Sequence, residues 1–282
     1  MHAAPTRDEA IALLDFYVAA GVDLALDEVP HDRFSEADAP EPERRPAPRR
    51  EAPPERSDPT PNRAPPALPG LAAEPADAIV AEARGRAASA RTLDELRDLL
   101  EAFEGCALKA SARQLVFADG VPNSRVMLLG EAPGAEEDRT GKPFVGRAGQ
   151  LLDRMLAAIE LDRTSVYIAN VVPWRPPGNR TPTPQEVAAC LPFTLRQIEL
   201  AAPEFLVTLG APSTQTLLGV KDGITRLRGR WVEHPLGERT LRVLPMLHPA
   251  YLLRQPLHKR FAWRDLRLLR RELDAAAPPS QL

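Results

Sequence analysis

Residues 125–134 read RVMLLGEAPG, a short apolar run followed by a loop bounded by two glycines. This pattern predicts a buried strand that ends in a tight turn. Three further runs of this kind lie at 165–172 (SVYIANVV), 204–209 (EFLVTL) and 240–246 (TLRVLPM). Helical patterns at 147–160, 184–200 and 257–275 alternate with them. Strands separated by helices predict a doubly wound α/β fold, with a mostly parallel four-stranded sheet flanked by helices.

Three polar segments follow the predicted strands. The GEAPG loop follows the first strand, Asn170 lies late in the second, and His248 follows the last. Ligands of such sheets bind beyond the carboxyl ends of the strands. We therefore expect these segments to meet in space, although they lie far apart in the sequence.

The domain organisation follows from proline and apolar patterning. Residues 1–35 contain apolar side chains at helical spacing and predict an amphipathic helical segment. Of the 31 prolines, 12 lie between Pro40 and Pro75, so residues 36–90 are expected to form a disordered, Pro-rich linker. Thr92 and Glu95 form a capping box ahead of a leucine stripe, which places the start of the folded domain at 91 and its extent at 91–282.

Charge and cysteine content exclude several classes of protein. Residues 1–90 have a net charge of −7, which leaves +4 for residues 91–282 and permits DNA binding without arguing for it. The sequence has neither a long apolar run nor a signal peptide, so we expect a cytoplasmic protein that does not enter membranes. Cys106 and Cys190 alone cannot form a disulfide framework or a metal site of three or four cysteines.

The GEAPG loop carries acidic residues that argue against a phosphate-binding role. Glu131, Glu136, Glu137 and Asp138 would repel a nucleotide phosphate, and the phosphate-loop pattern GxxxxGK[ST] is absent. The loop suits an uncharged or cationic species better.

Three segments together resemble the family 4 branch of the uracil-DNA glycosylase superfamily, over about residues 100–275. They are GEAPGAEEDRTGKPFVGRAGQLLD (130–153), NVVPWRPPGNRTPTPQE (170–186) and HPAYLLR (248–254). The resemblance implies a DNA repair enzyme of the hydrolase class. Such a glycosidase flips uracil out of DNA and hydrolyses its N-glycosidic bond, which initiates base excision repair of this DNA damage.

The resemblance also implies roles for individual residues. Phe144 is expected to stack on the extruded uracil, Asn170 to hydrogen-bond its Watson–Crick edge, and His248 to contact its O2. Other branches of the superfamily place an Asp where this chain has Ala132, so Glu131 is the first candidate for activating water.

The remaining pocket and DNA contacts follow from the same motifs. Ala132 and Glu137 are expected to line the base pocket, with Glu137 a candidate for excluding the methyl group of thymine. We expect Glu136 and Asp138 to be solvated charges. The HPAYLLR loop combines an apolar wedge with a cation, so we expect DNA contacts there and from two arginines of the second segment. These predicted contacts are Tyr251, Leu252, Arg254, Arg175 and Arg180.

The chain departs from its family at the position of a cofactor. Family 4 proteins typically carry a [4Fe-4S] cluster on four cysteines, and the equivalent positions here are Phe103, Cys106, Trp174 and Cys190. Two thiolates cannot hold a cubane without other ligands, so we expect no cofactor and no metal. The two rings would fill the volume instead. One superfamily member traps the uracil-derived sugar covalently through a histidine in this region. Residues 174–180 lack a histidine, which favours turnover over covalent trapping.

Two alternatives remain open at this stage. The missing Asp at position 132 is compatible with a protein that binds uracil or abasic DNA with little or no cleavage. Residues 1–35 are also compatible with docking onto a repair or replication protein, as amphipathic helices on flexible tethers do. We expect the protein itself to be a monomer.

Overall fold

The computed structural model describes residues 76–237 and 239–275. Six strands in this part form one sheet in the order β1-β3-β2-β4-β6-β5. The strands are β1 (Asp119–Gly120), β2 (Val126–Gly130), β3 (Val166–Asn170), β4 (Phe205–Leu209), β5 (Val232–Leu236) and β6 (Arg239–Met246). The inner strands β3, β2, β4 and β6 are parallel, whereas β1 and β5 pair antiparallel at the two edges.

Helices connect the strands and cover both faces of the sheet. Within the described residues they are α1 (Ala76–Ser89), α2 (Leu93–Glu101), α3 (Ala135–Thr140), α4 (Arg147–Ala157), α5 (Pro184–Ala201), α6 (Ala211–Leu218), α7 (Ile224–Leu227), α8 (Pro249–Arg254) and α9 (Lys259–Ala275). Short 3₁₀ turns lie at Ala107–Ala110, Pro177–Asn179 and Pro256–His258. None of the described helices is long and apolar enough to cross a membrane.

The hydrophobic core is divided by the sheet into two halves. Every residue of β2, β3 and β4 is buried, as expected of parallel strands that are covered on both faces. Alternate residues of β2 enter opposite halves, with Met127 in the core beneath α1, α2 and α5. Leu128 enters the core beneath α4 and α9.

The predicted α/β class is confirmed. The four strands predicted at 125–129, 165–172, 204–209 and 240–246 are the parallel strands β2, β3, β4 and β6. The sheet has six strands because two edge strands extend it. β1 has only two residues, and β5 reads VEHPL, so neither carries the alternating apolar pattern that predicts a strand.

The folded part begins earlier in the chain than the sequence predicts. The structure differs from the predicted linker over residues 76–90, because residues 76–89 form α1, which packs along α5. Ala83, Ala87 and Ala90 are buried there, and Arg196 donates two hydrogen bonds to the Ala90 carbonyl (2.8 and 3.1 Å). Because α1 packs through small alanine side chains, its sequence has only a weak apolar pattern and does not predict a helix. Residues 1–35, predicted to form a helical segment that docks onto a partner, lie outside the described residues. Linker residues 36–75 do so too.

Candidate active site

A cavity of about 730 Å³ lies at the carboxyl ends of the parallel strands. Glu131 follows β2, Asn170 ends β3, and His248 comes shortly after β6, and all three line this cavity. The prediction that the three segments meet is therefore confirmed. The loop between α3 and α4 closes one side with Phe144, and Ala132 and Glu137 also belong to the lining.

Phe144 is held in an unusual backbone conformation. Its φ is 55°, in the left-handed region that non-glycine residues seldom adopt. Two charged side chains fix the loop around it. The carboxylate of Glu137 accepts hydrogen bonds from the backbone N–H groups of Val145 (2.9 Å) and Gly146 (3.0 Å). Arg163 donates to the Phe144 carbonyl. A strained residue that is fixed from both sides is typical of a functional site.

Two glycines bring the backbone close to the Phe144 loop. A Cβ at Gly130 would lie 2.3 Å from the Asn170 side-chain oxygen and 2.6 Å from the Phe144 ring. A Cβ at Gly149 would lie 1.6 Å from the Phe144 carbonyl oxygen. Both positions therefore require glycine, and the absence of these two side chains sets the distance between the ring and the amide.

Asn170 presents an unsatisfied acceptor to the cavity. The residue is buried, and its Oδ1 has no hydrogen-bond partner among the described residues. A buried polar atom without a partner is costly unless a ligand or water binds it. Asn170 is therefore positioned to bind a ligand that carries an N–H group.

His248 is a neutral hydrogen-bond donor. The backbone N–H of Ala250 donates to its Nδ1 (3.1 Å), so the neutral ring carries its proton on Nε2. Burial lowers the pKa of His248 to about 4; the charge of Arg254 acts in the same direction, and Glu137 opposes it. The ring centroid lies 5.6 Å from that of Phe144. His248 is thus uncharged near neutral pH and lies beside the stacking ring.

Glu131 and Glu137 differ in their hydrogen bonding. Oε1 of Glu131 is buried and has no partner among the described residues, and burial raises the pKa of this carboxyl group. Glu137 accepts three backbone hydrogen bonds, the third from Gly134 (3.1 Å). Glu131 therefore has a free oxygen for chemistry, whereas the oxygens of Glu137 are occupied by the loop that they fix.

Some of the predicted DNA-contact residues line the cavity in the structure, and others do not. Tyr251, Arg254 and Arg180 line the cavity, and Arg180 also binds Glu186 with two hydrogen bonds (2.7 and 2.8 Å). Leu252 differs from the prediction, since it is fully buried in the core and cannot act as a wedge. The neighbouring Leu253 is an exposed apolar side chain of this helix.

Asp138 is buried rather than solvated, and the half-buried Arg175 lies near it. Arg175 donates a hydrogen bond to Oδ1 of Asn179 (2.7 Å) and lies 3.9 Å from Asp138. Asp138 is buried and accepts a hydrogen bond from the Arg113 backbone N–H (2.8 Å). The cavity lining does not include Arg175. Its contacts favour a role in fixing the loop after β3 over the predicted contact with DNA.

Arg163 contributes to the site but carries no signal in the sequence. It lies in the turn before β3, binds the carbonyls of the Phe144 loop, and forms ion pairs with Asp119 (2.7 Å) and Asp153 (2.8 Å). Its partners come from three separate segments, so only the tertiary structure reveals its function.

The residues at the predicted cluster positions do not fit an iron–sulfur cubane. Cys106 and Cys190 are buried, and Cys190 donates a hydrogen bond to the Cys106 sulfur at 3.6 Å, which leaves no space for a cluster between them. Hydrogen bonding to Cys106 and burial raise the pKa of Cys190, which favours its neutral thiol. Phe103 and Trp174 are fully buried in the same core. In the described part of the chain, no group of three His, Cys, Asp or Glu residues could hold a metal.

This fold and cavity define an α/β protein whose candidate ligand site, at the carboxyl edge of the sheet, is lined by an aromatic ring and hydrogen-bonding side chains. A sequence model of the uracil DNA glycosylase superfamily matches residues 117–267, more than half of the chain. The chain therefore belongs to the uracil-DNA glycosylase superfamily.

Several relatives named as Type-4 uracil-DNA glycosylases are similar to this chain. A Type-4 uracil-DNA glycosylase of Thermotoga maritima is 46% identical over 150 residues, which cover 53% of this chain and 77% of the relative. The Type-4 uracil-DNA glycosylase of Archaeoglobus fulgidus is 37% identical over 58% of this chain and 85% of its own length. That of Sulfurisphaera tokodaii is 36% identical over 64% of this chain and 84% of its own length.

Proposed function

We propose that this protein is a uracil-DNA glycosylase, a hydrolase that flips uracil out of DNA and cleaves its N-glycosidic bond to begin base excision repair. The observation that carries the proposal is the arrangement of Phe144, Asn170 and His248 around one cavity. The arrangement supplies a ring to stack on, an unsatisfied acceptor and a neutral donor. The proposed substrate is DNA, which is consistent with the cytoplasmic location expected from the sequence.

Base recognition rests on Asn170 and Phe144. An extruded uracil has lost its stacking neighbours, and the Phe144 ring restores part of that interaction energy. The free Oδ1 of Asn170 accepts from uracil N3–H, and the amide N–H₂ donates to O4. Cytosine presents an acceptor at N3 and a donor at its exocyclic nitrogen, so the same amide orientation rejects it.

Bond cleavage rests on His248 and Glu131. Departing uracil accumulates negative charge, and the N–H at Nε2 of His248 stabilises O2 more in the transition state than in the ground state. Glu131 accepts a proton from the attacking water through its free oxygen. As an anion it also stabilises the cationic character that develops on the sugar.

The remaining residues of the site position the substrate or the loop. Glu137 fixes the Phe144 loop through its three hydrogen bonds. Arg180, Tyr251 and Arg254 lie at the cavity and contact the DNA backbone near the extruded nucleotide. The enzyme works without an iron–sulfur cluster, because the positions that would hold one carry Phe103 and Trp174.

A single-turnover assay on a uracil-containing oligonucleotide tests the proposal. We expect excision by the wild type, and a rate lower by about 10² for His248→Ala, the scale seen when one donor to a developing anion is removed. His234→Ala is the matched control, because His234 lies on the edge strand β5 and outside the cavity lining.

Two outcomes contradict the proposal. A wild type that binds uracil DNA without cleaving it is the non-catalytic or slow binding protein that Ala132 leaves open. A His248→Ala rate within about threefold of wild type removes the assigned role of that residue.

A further inference from the structure

Two buried cysteines are in contact in the core beneath α1, α2 and α5. The sulfur atoms of Cys106 and Cys190 are 3.6 Å apart, and the residues are 2% and 0% exposed. They do not fit an iron–sulfur cubane, and neither belongs to the lining of the cavity. The proposed reaction therefore leaves both thiols without a role.

The position of the two sulfurs suits a disulfide. A disulfide holds its sulfurs about 2.05 Å apart, so these two must approach by roughly 1.5 Å. Cys106 has an extended backbone before a 3₁₀ turn and follows Gly105, so no regular helix fixes it. Cys190 lies in α5, where Pro192 removes the backbone hydrogen bond to the Ala188 carbonyl. Both segments therefore have local freedom to close this distance.

The two thiols differ in reactivity. The S–H of Cys190 donates to the Cys106 sulfur and lowers the pKa of Cys106, although burial opposes this effect. The backbone N–H of Leu108 acts in the same direction as Cys190. The contact with Cys106, together with burial, raises the pKa of Cys190. Because the thiolate is the nucleophile, Cys106 reacts first and Cys190 resolves the product.

We propose that Cys106 and Cys190 form a reversible disulfide when hydrogen peroxide oxidises the protein. The Cys106 sulfur attacks one peroxide oxygen, the O–O bond breaks, and a sulfenic acid forms while the second oxygen leaves as water with the thiol proton. Cys190 then attacks that sulfur, the S–O bond breaks, and a second water takes up the Cys190 proton. Two thiols and one peroxide thus give one disulfide and two waters. A dithiol reductant reverses the change by two thiol–disulfide exchanges.

The disulfide closes a loop that contains most of the candidate site. The two cysteines are 84 positions apart, and Glu131, Phe144 and Asn170 lie between them. A cross-link over a loop of this length stabilises a protein mainly by restricting its unfolded chain. Oxidation therefore stabilises the folded domain, and the bond lies outside the cavity lining.

Peptide mapping of the full chain tests the bond. Folded wild type is treated with hydrogen peroxide, the remaining thiols are alkylated in denaturant, and the chain is digested without reductant. We expect two peptides joined through Cys106 and Cys190, and no alkylated cysteine. Dithiothreitol added before alkylation should restore both alkylated cysteines.

Single-cysteine variants are the matched controls. Cys190→Ser keeps the thiol that reacts first but cannot resolve the sulfenic acid, so Cys106 should proceed to a sulfinic acid that dithiothreitol does not reduce. Cys106→Ser leaves only the fully buried Cys190, which should remain alkylatable.

Thermal unfolding measures the effect of the bond on stability. Oxidised wild type should have a Tm roughly 10 °C above that of reduced wild type, because the cross-link restricts the unfolded chain. Peroxide should not raise the Tm of either single-cysteine variant.

Neither measurement uses uracil excision, so the result does not depend on the proposed function. Two alkylatable cysteines in peroxide-treated wild type, or addition of oxygen to Cys106 without joined peptides, overturns the disulfide. Joined peptides in a chain whose Tm is no higher than that of the reduced form overturn its stabilising effect.

Discussion

Glu137→Gln tests whether Glu137 fixes the Phe144 loop or selects the base. Glutamine has no charge and one acceptor oxygen, so one of the three N–H groups that Glu137 binds loses its partner. The other two hydrogen bonds then have an uncharged amide oxygen as their acceptor. An unpaired, partly buried donor and two weakened bonds together cost about 3 kcal/mol of folding free energy.

The same substitution should lower activity through Phe144. Its left-handed backbone stores roughly 2 kcal/mol of strain. If the loop relaxes, only about one molecule in thirty keeps the ring in position, so we expect a rate loss of about thirtyfold. Urea unfolding and single-turnover excision measure the two effects. Glu136→Gln, at an exposed glutamate that pairs with Arg139, should leave both unchanged.

If Glu137 instead selects the base, the Glu137→Gln variant should behave in the opposite way. If Glu137 excludes the thymine methyl group, Glu137→Gln should begin to excise thymine while its uracil rate stays within about threefold of wild type. That outcome would refute the loop-fixing role. Rejection of thymine with a large loss on uracil supports it.

Three further predictions address the pH dependence, the domain boundary and the base edge. Burial raises the pKa of Glu131, and only the carboxylate activates water, so the excision rate should rise with pH through a midpoint above the ordinary 4.5; Glu131→Gln should flatten that rise in a pH–rate profile. A chain that starts at Arg91 should be about 2–4 kcal/mol less stable in urea than one that starts at Ala76, because it lacks the buried face of α1. Asn170→Asp should weaken discrimination against cytosine in a competition assay, and unchanged rejection with intact uracil excision would show that Asn170 does not read the base.

The sequence predicts those parts of the fold whose signal is local. The parallel strands are buried on both faces, so each reads as a short apolar run, and the glycine loop marks the end of β2. β5 has half-exposed, charged and proline residues, because an edge strand contacts the sheet on one side only. Helix α1 has only a weak apolar pattern, because it packs through alanines. In each case the missing information lies in the neighbouring element.

The site shows the same division between local and tertiary information. Motifs predict that the GEAPG loop, Asn170 and His248 share a cavity, because their positions at strand ends determine their location, and the structure adds Phe144 from the loop between α3 and α4. The sequence does not show in this way which neighbours surround a given side chain. Arg175 is bound to Asn179 and Leu252 is buried, although both look available in the sequence. The direction in which a helical or loop side chain points depends on packing partners that are distant along the chain.

The aromatic residues at the cluster positions lead to a last prediction. Phe103 and Trp174 are fully buried beside the Cys106–Cys190 contact, so their rings occupy volume that a cluster would need. Trp174→Ala should cost about 3–5 kcal/mol, and Cys106→Ser should cost less and retain activity.

Phe103→Cys combined with Trp174→Cys extends the test, because it restores four cysteines while removing both rings. At about 3 kcal/mol for each ring, the loss of about 6 kcal/mol is comparable with the whole stability of an ordinary domain, 5–15 kcal/mol. We expect the metal-free double variant to lose cooperative unfolding in urea. A metal-free double variant as stable as wild type would show that the rings do not fill the cluster volume. Iron and sulfide bound in stoichiometric amounts to anaerobically purified wild type would refute the assignment of a cluster-free enzyme, because two thiols and two rings cannot hold a cubane.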